Sequence, residues 1–316
     1  MPDTRESSSF LTVLIAFGAN ILVAVAKTVA AILTGSASLV AESAHSWADA
    51  GNEIFLIKAE RAAVRPSDAA HPGGYGREGY FWSLFAAVGL FTAGAVVSIM
   101  HGVSQLGAHE PETDYTVAYL VLAVAFVFES VSFIQSFRQA HSRAEERDTH
   151  TLTLVLRTSN PTLRAVFAED AAALIGLVIA FLGILLHELT GNAVYDALGS
   201  ILVGFLLAVV AIVLIDRNRR FLLGEPGSAR IQQLTLASLL ENEQVQRVTY
   251  LHLEYVGADS LYVVAAVDLE GDDRESDVAA ALAGVEDRLE ENPYIAKAVL
   301  TLSRPGADAL VLQRME

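Results

Sequence analysis

Hydrophobic positions in this chain gather into six long runs, roughly 10–34, 37–60, 78–107, 115–140, 163–189 and 194–222, divided by short polar connections. A bilayer core of about 30 Å asks for about 20 mostly apolar residues per helix. Each run therefore predicts a membrane-spanning helix, the second being the least apolar. After Gly227 the pattern changes. An apolar-periodic segment from Ala229 to Leu240 predicts a helix, and two runs at 247–255 and 260–269, hinged at Val256–Gly257–Ala258–Asp259, predict strands. Val278, Leu282, Val285 and Leu289 recur along one face of a further helix, and Ile295 to Ser303 reads as a last strand. The expected architecture is an all-α six-helix transmembrane domain at 1–226 and a small α+β domain of order αββαβ at 227–316, with helices on one face of a short sheet.

Composition agrees with a membrane class: 53% of residues are hydrophobic and only 18% charged, with a mean hydropathy of +0.43. A net charge of −16 excludes nucleic acid as a partner, since phosphate neutralisation needs clustered Lys and Arg. With no cysteine there is no disulfide framework, thiolate metal site or Cys nucleophile, and any metal must be held by His, Asp, Glu or Asn. The polar start, Met1 to Ser9, precedes an apolar run too long for a signal peptide, which reads as a retained first span.

Positive residues stay on the cytoplasmic side of short loops. Lys58, Arg61, Arg65 and Arg77 follow the second span, and Arg138, Arg143, Arg147, Arg157 and Arg164 follow the fourth. The connections at 35–36, 107–114 and 188–193 carry none, and Arg217, Arg219 and Arg220 end the sixth span. Both termini are thus expected in the cytoplasm. The C-terminal part holds 16 acidic against 7 basic residues. Few lysines, 3 against 18 arginines, and abundant alanine suggest a GC-rich prokaryote, whose plasma membrane would be the location.

Ionisable groups inside spans are costly and mark functional positions. In the second span Glu42, His45, Asp49 and Glu53 lie three, four and four residues apart, along one stripe of a helix. His45 and Asp49, one turn apart, have a metal-ligand spacing; a polar stripe held by hydrogen bonds to other helices is the structural alternative. Glu169–Asp170, an adjacent acidic pair in the otherwise apolar fifth span, tips the balance, because together the two helices supply the three or four N and O donors that Zn²⁺ takes. Asn20, Lys27, Glu129 and Asp196 read as structural or supporting hydrogen-bond partners. Gly89 with Ala93, and Ser200 with Gly204, are small-residue pairs that allow helices to approach closely. No HExxH, Walker A or GxSxG pattern occurs, so the chain is not read as an enzyme and its energy must come from an ion gradient.

These residues resemble the cation diffusion facilitator family over nearly the whole chain. Gly35 to Asp49, GSASLVAESAHSWAD, contains the His-xxx-Asp motif of the second span as His45 and Asp49. Arg65-Pro66, Asp68 and His71-Pro72-Gly73-Gly74-Tyr75-Gly76-Arg77 are similar to the family's second-to-third loop, and Glu169-Asp170 with Thr190 to Ser200 resembles the zinc transporter 9-like subgroup. The resemblance implies a ferredoxin-like, metallochaperone-like cytoplasmic domain with a regulatory or dimerising role, a homodimer, and proton-coupled efflux of Zn²⁺ or another divalent cation by alternating access. It implies His45, Asp49 and Asp170 as ligands, with Glu169 standing in for Val166, which occupies the usual first position of the fifth-span motif; Glu42 or a water is the other candidate for fourth ligand. Asp68 and His71 match a loop metal site whose third ligand is here Tyr75, which weakens it. Arg77 is expected to pair across the dimer, and no metal is expected at His252 in the C-terminal domain.

On this reading the partners are a divalent metal ion, protons, the lipid bilayer and a second copy of the chain. Protons from the outer side compete for His45 and the carboxylates and displace the metal outward, while the helix bundle rocks around a fixed site. Two alternatives stay open: a membrane-tethered regulatory or scaffold protein whose transport site has decayed at Val166, and a Mn²⁺ or Fe²⁺ exporter of the same fold.

Overall fold

The computed structural model describes residues 4–107, 114–271 and 274–312, giving only the backbone for 4–16. Part of the 107–114 connection thus lies outside the described residues. The chain packs into two compact units, Met1–Glu60 with Phe81–Asn218, and Arg61–Tyr80 with Arg219–Glu316.

The first unit is built from long helices: α1 (Thr4–Thr34), α2 (Ala37–Ala63), α3 (Glu78–Gly89), α4 (Val97–Gln105), α5 (Thr116–Glu146), α7 (Pro161–Thr190) and α8 (Val194–Leu222). A short helix, α6 (Thr151–Arg157), lies between α5 and α7. Among the described residues, five stretches are long and apolar enough to cross a membrane: Phe17–Thr34, Glu78–Gln105, Thr116–Glu146, Pro161–Thr190 and Val194–Leu222. α2 completes the six-helix transmembrane domain and falls short on that measure because its stripe of Glu42, His45, Asp49, Asn52 and Glu53 replaces apolar residues. Such a helix is held by packing among other helices, and its buried residues include Leu39, Ala41, Ala48 and Leu56 as well as Glu42, His45 and Asn52.

Local chemistry sets the helix ends. Gly35, at φ 70°, turns the chain between α1 and α2 in a conformation that glycine adopts without a steric penalty. Asn160 caps α7 by accepting from the Leu163 amide at 3.0 Å, Pro161 sits at its first position, and Gly191 ends it in the left-handed conformation.

The third span is not one regular helix. Leu90–Val96 is π-helical and joins α3 to α4, adding a residue to the turn and shifting the inward face. Ala93, expected to pair with Gly89 in packing, is exposed, and Gly94 is buried in its place. A Cβ on Gly94 would lie 3.0 Å from Leu207 of α8. The α8 pair packs as its small side chains suggest: Ser200 Oγ donates to the Ser98 carbonyl at 2.8 Å, and a Cβ on Gly204 would lie 2.9 Å from the Ala95 oxygen.

The second unit contains α9 (Ala229–Leu240), β1 (Val245–Gly257), β2 (Ser260–Leu269), α10 (Glu275–Glu290) and β3 (Ile295–Leu302), the αββαβ order read from periodicity. The sheet order is β1-β2-β3, antiparallel between β1 and β2 and parallel between β2 and β3. Gly257 pairs with Ser260 across a two-residue turn, with Asp259 at φ 53°. Every second residue of β2 from Leu261 to Val267 is buried; Val263, Ala265 and Val267 pack with Leu239, Val248, Leu253, Val285, Leu289 and Ala298 into one core. Of the predicted helix face, Val285 and Leu289 are core and Leu282 packs against it. The free edge of β3 is covered by α10, since Glu290 accepts from the Ala298 amide at 3.0 Å and Glu286 from the Leu300 amide at 2.7 Å. Edge amides satisfied in this way cannot recruit another strand.

Candidate metal centre

The row Glu42–His45–Asp49–Asn52 advances by three, four and three residues, so these side chains share one face of α2. That face starts from a fixed point. Asp196 of α8 accepts from Ser36 Oγ at 3.1 Å, from the Ala37 amide at 2.5 Å and from the Ser38 amide at 3.2 Å, and Ser38 Oγ donates back to the Asp196 carbonyl at 2.8 Å. The first amides of a helix have no partner within it, and here a carboxylate from another span supplies one. The sequence marks Asp196 as a supporting residue, and this cap is the support it gives.

His45 is fully buried, and its Nε2 stands 3.3 Å from Asp49 Oδ2 without hydrogen-bond geometry. Both ring nitrogens, Asp49 Oδ1 and Glu42 Oε1 are buried and lack any hydrogen-bond partner among the described residues. Buried polar atoms are normally satisfied. Four such orphaned atoms along one face of α2, rich in lone pairs, are of the donor types that suit a cation.

The two acidic residues of α7 face different ways, as neighbours about 100° apart on a helix must. Glu169 turns to α2, where its Oε1 accepts from Asn52 Nδ2 at 3.2 Å. Asp170 turns to α5 and accepts from Ser132 Oγ at 3.0 Å and Ser136 Oγ at 2.8 Å. Val166 packs in an apolar cluster with Leu56 and Ala87. Among the described residues no three His, Asp or Glu side chains already converge as a metal cluster; a cation gathering His45, Asp49 and the α7 pair would draw the α7 carboxylates off their present partners. Asn52, Ser132 and Ser136 were missed in the sequence, although Asn52 continues the α2 stripe by one turn and the two serines stand one turn apart on a span.

Glu42, a candidate fourth ligand, is engaged elsewhere. Its Oε2 accepts from Lys27 Nζ of α1 at 2.9 Å, and both side chains are fully buried. Glu53, further along α2, accepts from Asn20 of α1 at 3.1 Å.

The loop between α2 and α3, in the second unit, makes a hydrogen-bonded knot. Asp68 Oδ1 accepts from the amides of Ala70 and His71, and Oδ2 from Tyr75 Oη at 2.7 Å. The Tyr75 hydroxyl, then the His71 amide, holds the Asp68 carboxyl below its ordinary value. His71 packs against the Tyr75 ring, tilted by 33° with centroids 4.0 Å apart, and the Arg65 guanidinium lies 4.1 Å from the same ring centre. His71 Nδ1 is 3.7 Å from Asp68 Oδ1. Tyr75 therefore ties the loop together from the position where the resemblance asks for a third ligand.

Arg77 at the end of this loop pairs with Glu254 on β1 of its own chain, a partner within the chain for a residue expected to pair across a dimer. Glu254 also lies 3.6 Å from His252 Nε2. Gly76 rests on the β1–β2 hairpin so closely that a Cβ would stand 2.4 Å from the Val256 oxygen.

Five long apolar helices among the described residues, with α2 carrying a buried row of imidazole and carboxylate groups, and a small α+β domain define an integral membrane protein. The sequence pattern of the cation efflux transmembrane domain matches residues 13–223, and the chain belongs to the cation efflux family. It is 34% identical over 233 residues to metal tolerance protein C4 of Arabidopsis thaliana, covering 74% of this chain and 51% of that one. It is 33% identical over 273 residues to the mitochondrial proton-coupled zinc antiporter SLC30A9 of Mus musculus, covering 85% and 46%, and 32% identical over 277 residues to that of Homo sapiens, covering 85% and 48%. These relatives support the zinc transporter 9-like subgroup. The chain spans about half the length of each.

Proposed function

We propose that this protein carries divalent metal ions, Zn²⁺ first among them, out of the cytoplasm in exchange for protons. The observation that carries the reading is the buried row of partnerless donors, His45 Nδ1 and Nε2 with Asp49 Oδ1, on a helix packed among membrane spans. Imidazole and carboxylate together suit Zn²⁺, while a site dominated by carboxylates would also accept Mn²⁺ or Fe²⁺. Relatives named as zinc antiporters support the same cargo and the proton coupling.

In this mechanism His45 and Asp49 of α2 hold the cation with the carboxylates of α7. All of these groups ligate only when unprotonated, so a proton arriving from the far side competes with the metal and releases it. Rocking of helices around the fixed site exposes it to each side in turn. The transport domain comprises 1–226, and 227–316 is a cytoplasmic regulatory and dimerising domain, with both termini cytoplasmic and the active form a homodimer. The expected prokaryotic plasma membrane finds no support in relatives whose names place them in mitochondria, and the reading retained is an integral membrane protein.

The test is Zn²⁺-dependent proton flux in proteoliposomes, wild type beside Asp49→Ala, with Mn²⁺ and Fe²⁺ in parallel. Flux present in the wild type and absent in a folded variant supports the antiporter. Wild-type protein that moves protons with none of the metals overturns it in favour of the membrane-tethered scaffold.

A further inference from the structure

Lys27 is the one lysine or arginine of α1 among the described residues with a described side chain, and it is fully buried. Its ammonium lies 2.9 Å from Glu42 Oε2, and the glutamate is fully buried as well. A buried ion pair is a poor way to stabilise a helix contact, since well-packed apolar residues of similar volume generally do as well or better. Its position is more informative. Glu42 stands one turn before His45 on the face that carries His45 and Asp49, and the Lys27 charge lies within electrostatic range of His45, Asp49 and Glu129.

The second oxygen of Glu42 is the telling atom. Oε1 is buried and has no hydrogen-bond partner among the described residues, and it fits against α7 only because residue 176 is glycine: a Cβ there would stand 2.4 Å from it. The carboxylate is thus half engaged, one oxygen on the lysine and one open, a turn away from the proposed cation site. With its lysine it is a neutral unit; without it, it is an extra anionic ligand within reach of the cargo.

We propose that Lys27 is a tethered cation that withholds Glu42 from the transported metal, setting the affinity of the site low enough for the ion to leave. The inference rests on the transport reading above. Lys27 acts here as a positioning residue, through Glu42, and does not touch the metal. A carrier gains nothing from uniformly tight binding of its cargo, because an ion held by one more charged ligand leaves more slowly. Removing the ammonium leaves an unpaired buried carboxylate, for which the nearest exchangeable cation is the cargo itself.

The experiment measures initial rates of Zn²⁺ transport against Zn²⁺ concentration in proteoliposomes for the wild type, Lys27→Met, Glu42→Gln and the double variant Lys27→Met/Glu42→Gln. In Lys27→Met both KM and kcat are expected to fall, each by about tenfold, the size of one charge-assisted contact. The double variant removes both charges and is expected to restore both constants toward wild type. Glu42→Gln leaves a buried ammonium beside the site and is expected to raise KM by about tenfold or more. Should Lys27→Met fail to fold, Glu42→Gln still decides: an unchanged KM overturns the inference. So does a Lys27→Met variant whose kcat falls with KM unchanged, or a double variant as impaired as Lys27→Met. Failure of the transport reading is separate, because it appears as absence of Zn²⁺ flux in the wild type itself.

Discussion

Asn52 of α2 holds Glu169 of α7 at 3.2 Å, while the next residue, Asp170, is turned away to the two serines of α5. The two carboxylates are neighbours in sequence and belong to different helix interfaces. Glu169 is therefore the α7 group poised on the side of His45 and Asp49. Glu169→Gln is expected to weaken Zn²⁺ binding by about 2 kcal/mol, the scale of a lost charged contact. Asp170→Asn is expected to weaken it less, because its amide still bonds one serine. Titration calorimetry of the detergent-solubilised protein checks the order; a larger loss in Asp170→Asn would show that Asp170 leaves α5 to bind the metal.

The cap that Asp196 places on α2 leads to a stability prediction. Asp196→Ala leaves the Ala37 and Ser38 amides and Ser36 Oγ without their buried acceptor. The expected cost is about 2 kcal/mol or more, read as a lower thermal unfolding midpoint. The α2 stripe begins at this cap, so metal affinity should fall along with stability.

Much of this architecture is legible in the chain because it follows from periodicity. Six apolar runs and the αββαβ order appear where hydrophobic spacing places them, and His45 with Asp49 stands out because charge in a span is costly. What pattern reading missed depends on tertiary direction. That Glu169 and Asp170 diverge follows from helix geometry, but nothing in a string of residues says that one meets α2 and the other α5, since that depends on which helices flank α7. The π-helical turn at Leu90–Val96 carries no proline or other local mark, and it moved the packing position from Ala93 to Gly94. Helix α6 is seven residues long, too short for a periodic signal. Lys27 and Glu42 were each visible as odd residues, but the pairing joins positions 15 apart across a turn, which spacing alone does not reveal.

The covered edge of β3 should respond to pH in a definite direction. Lys297, then the Ala298 amide, holds the Glu290 carboxyl below its ordinary value of 4.5, and Glu290 raises Lys297 above its ordinary 10.5. A lowered carboxyl contributes stability that is fully present above 4.5 and lost as pH falls through its folded value. A raised ammonium contributes stability that is fully present below 10.5 and lost as pH rises through its folded value. The pair therefore supports the domain throughout the range between, by an amount limited by its exposure. Glu290→Ala should flatten the acid limb of the stability profile, and with Glu286→Ala it should also uncover two β3 amides and promote association through that edge. Denaturant unfolding across pH and light scattering measure the two effects.

The contact of Gly76 with the β1–β2 hairpin gives a last prediction, confined to the second unit. A methyl group on Gly76 would stand 2.4 Å from the Val256 oxygen and 2.9 Å from Gly257 Cα. Both are backbone atoms that cannot rotate aside, so Gly76→Ala must lift the loop from the hairpin and loosen the Arg77–Glu254 pair beside it. The chain has no native cysteine, so Ala70→Cys and Ala258→Cys accept spin labels without background. Their distance distribution, narrow in the wild-type setting, should broaden and lengthen with Gly76→Ala. Arg77→Ala, which removes the ion pair and keeps the glycine, should broaden it less, because backbone contact at Gly76 rather than the exposed ion pair fixes the approach. Equal broadening in the two variants would assign the docking to the charge instead.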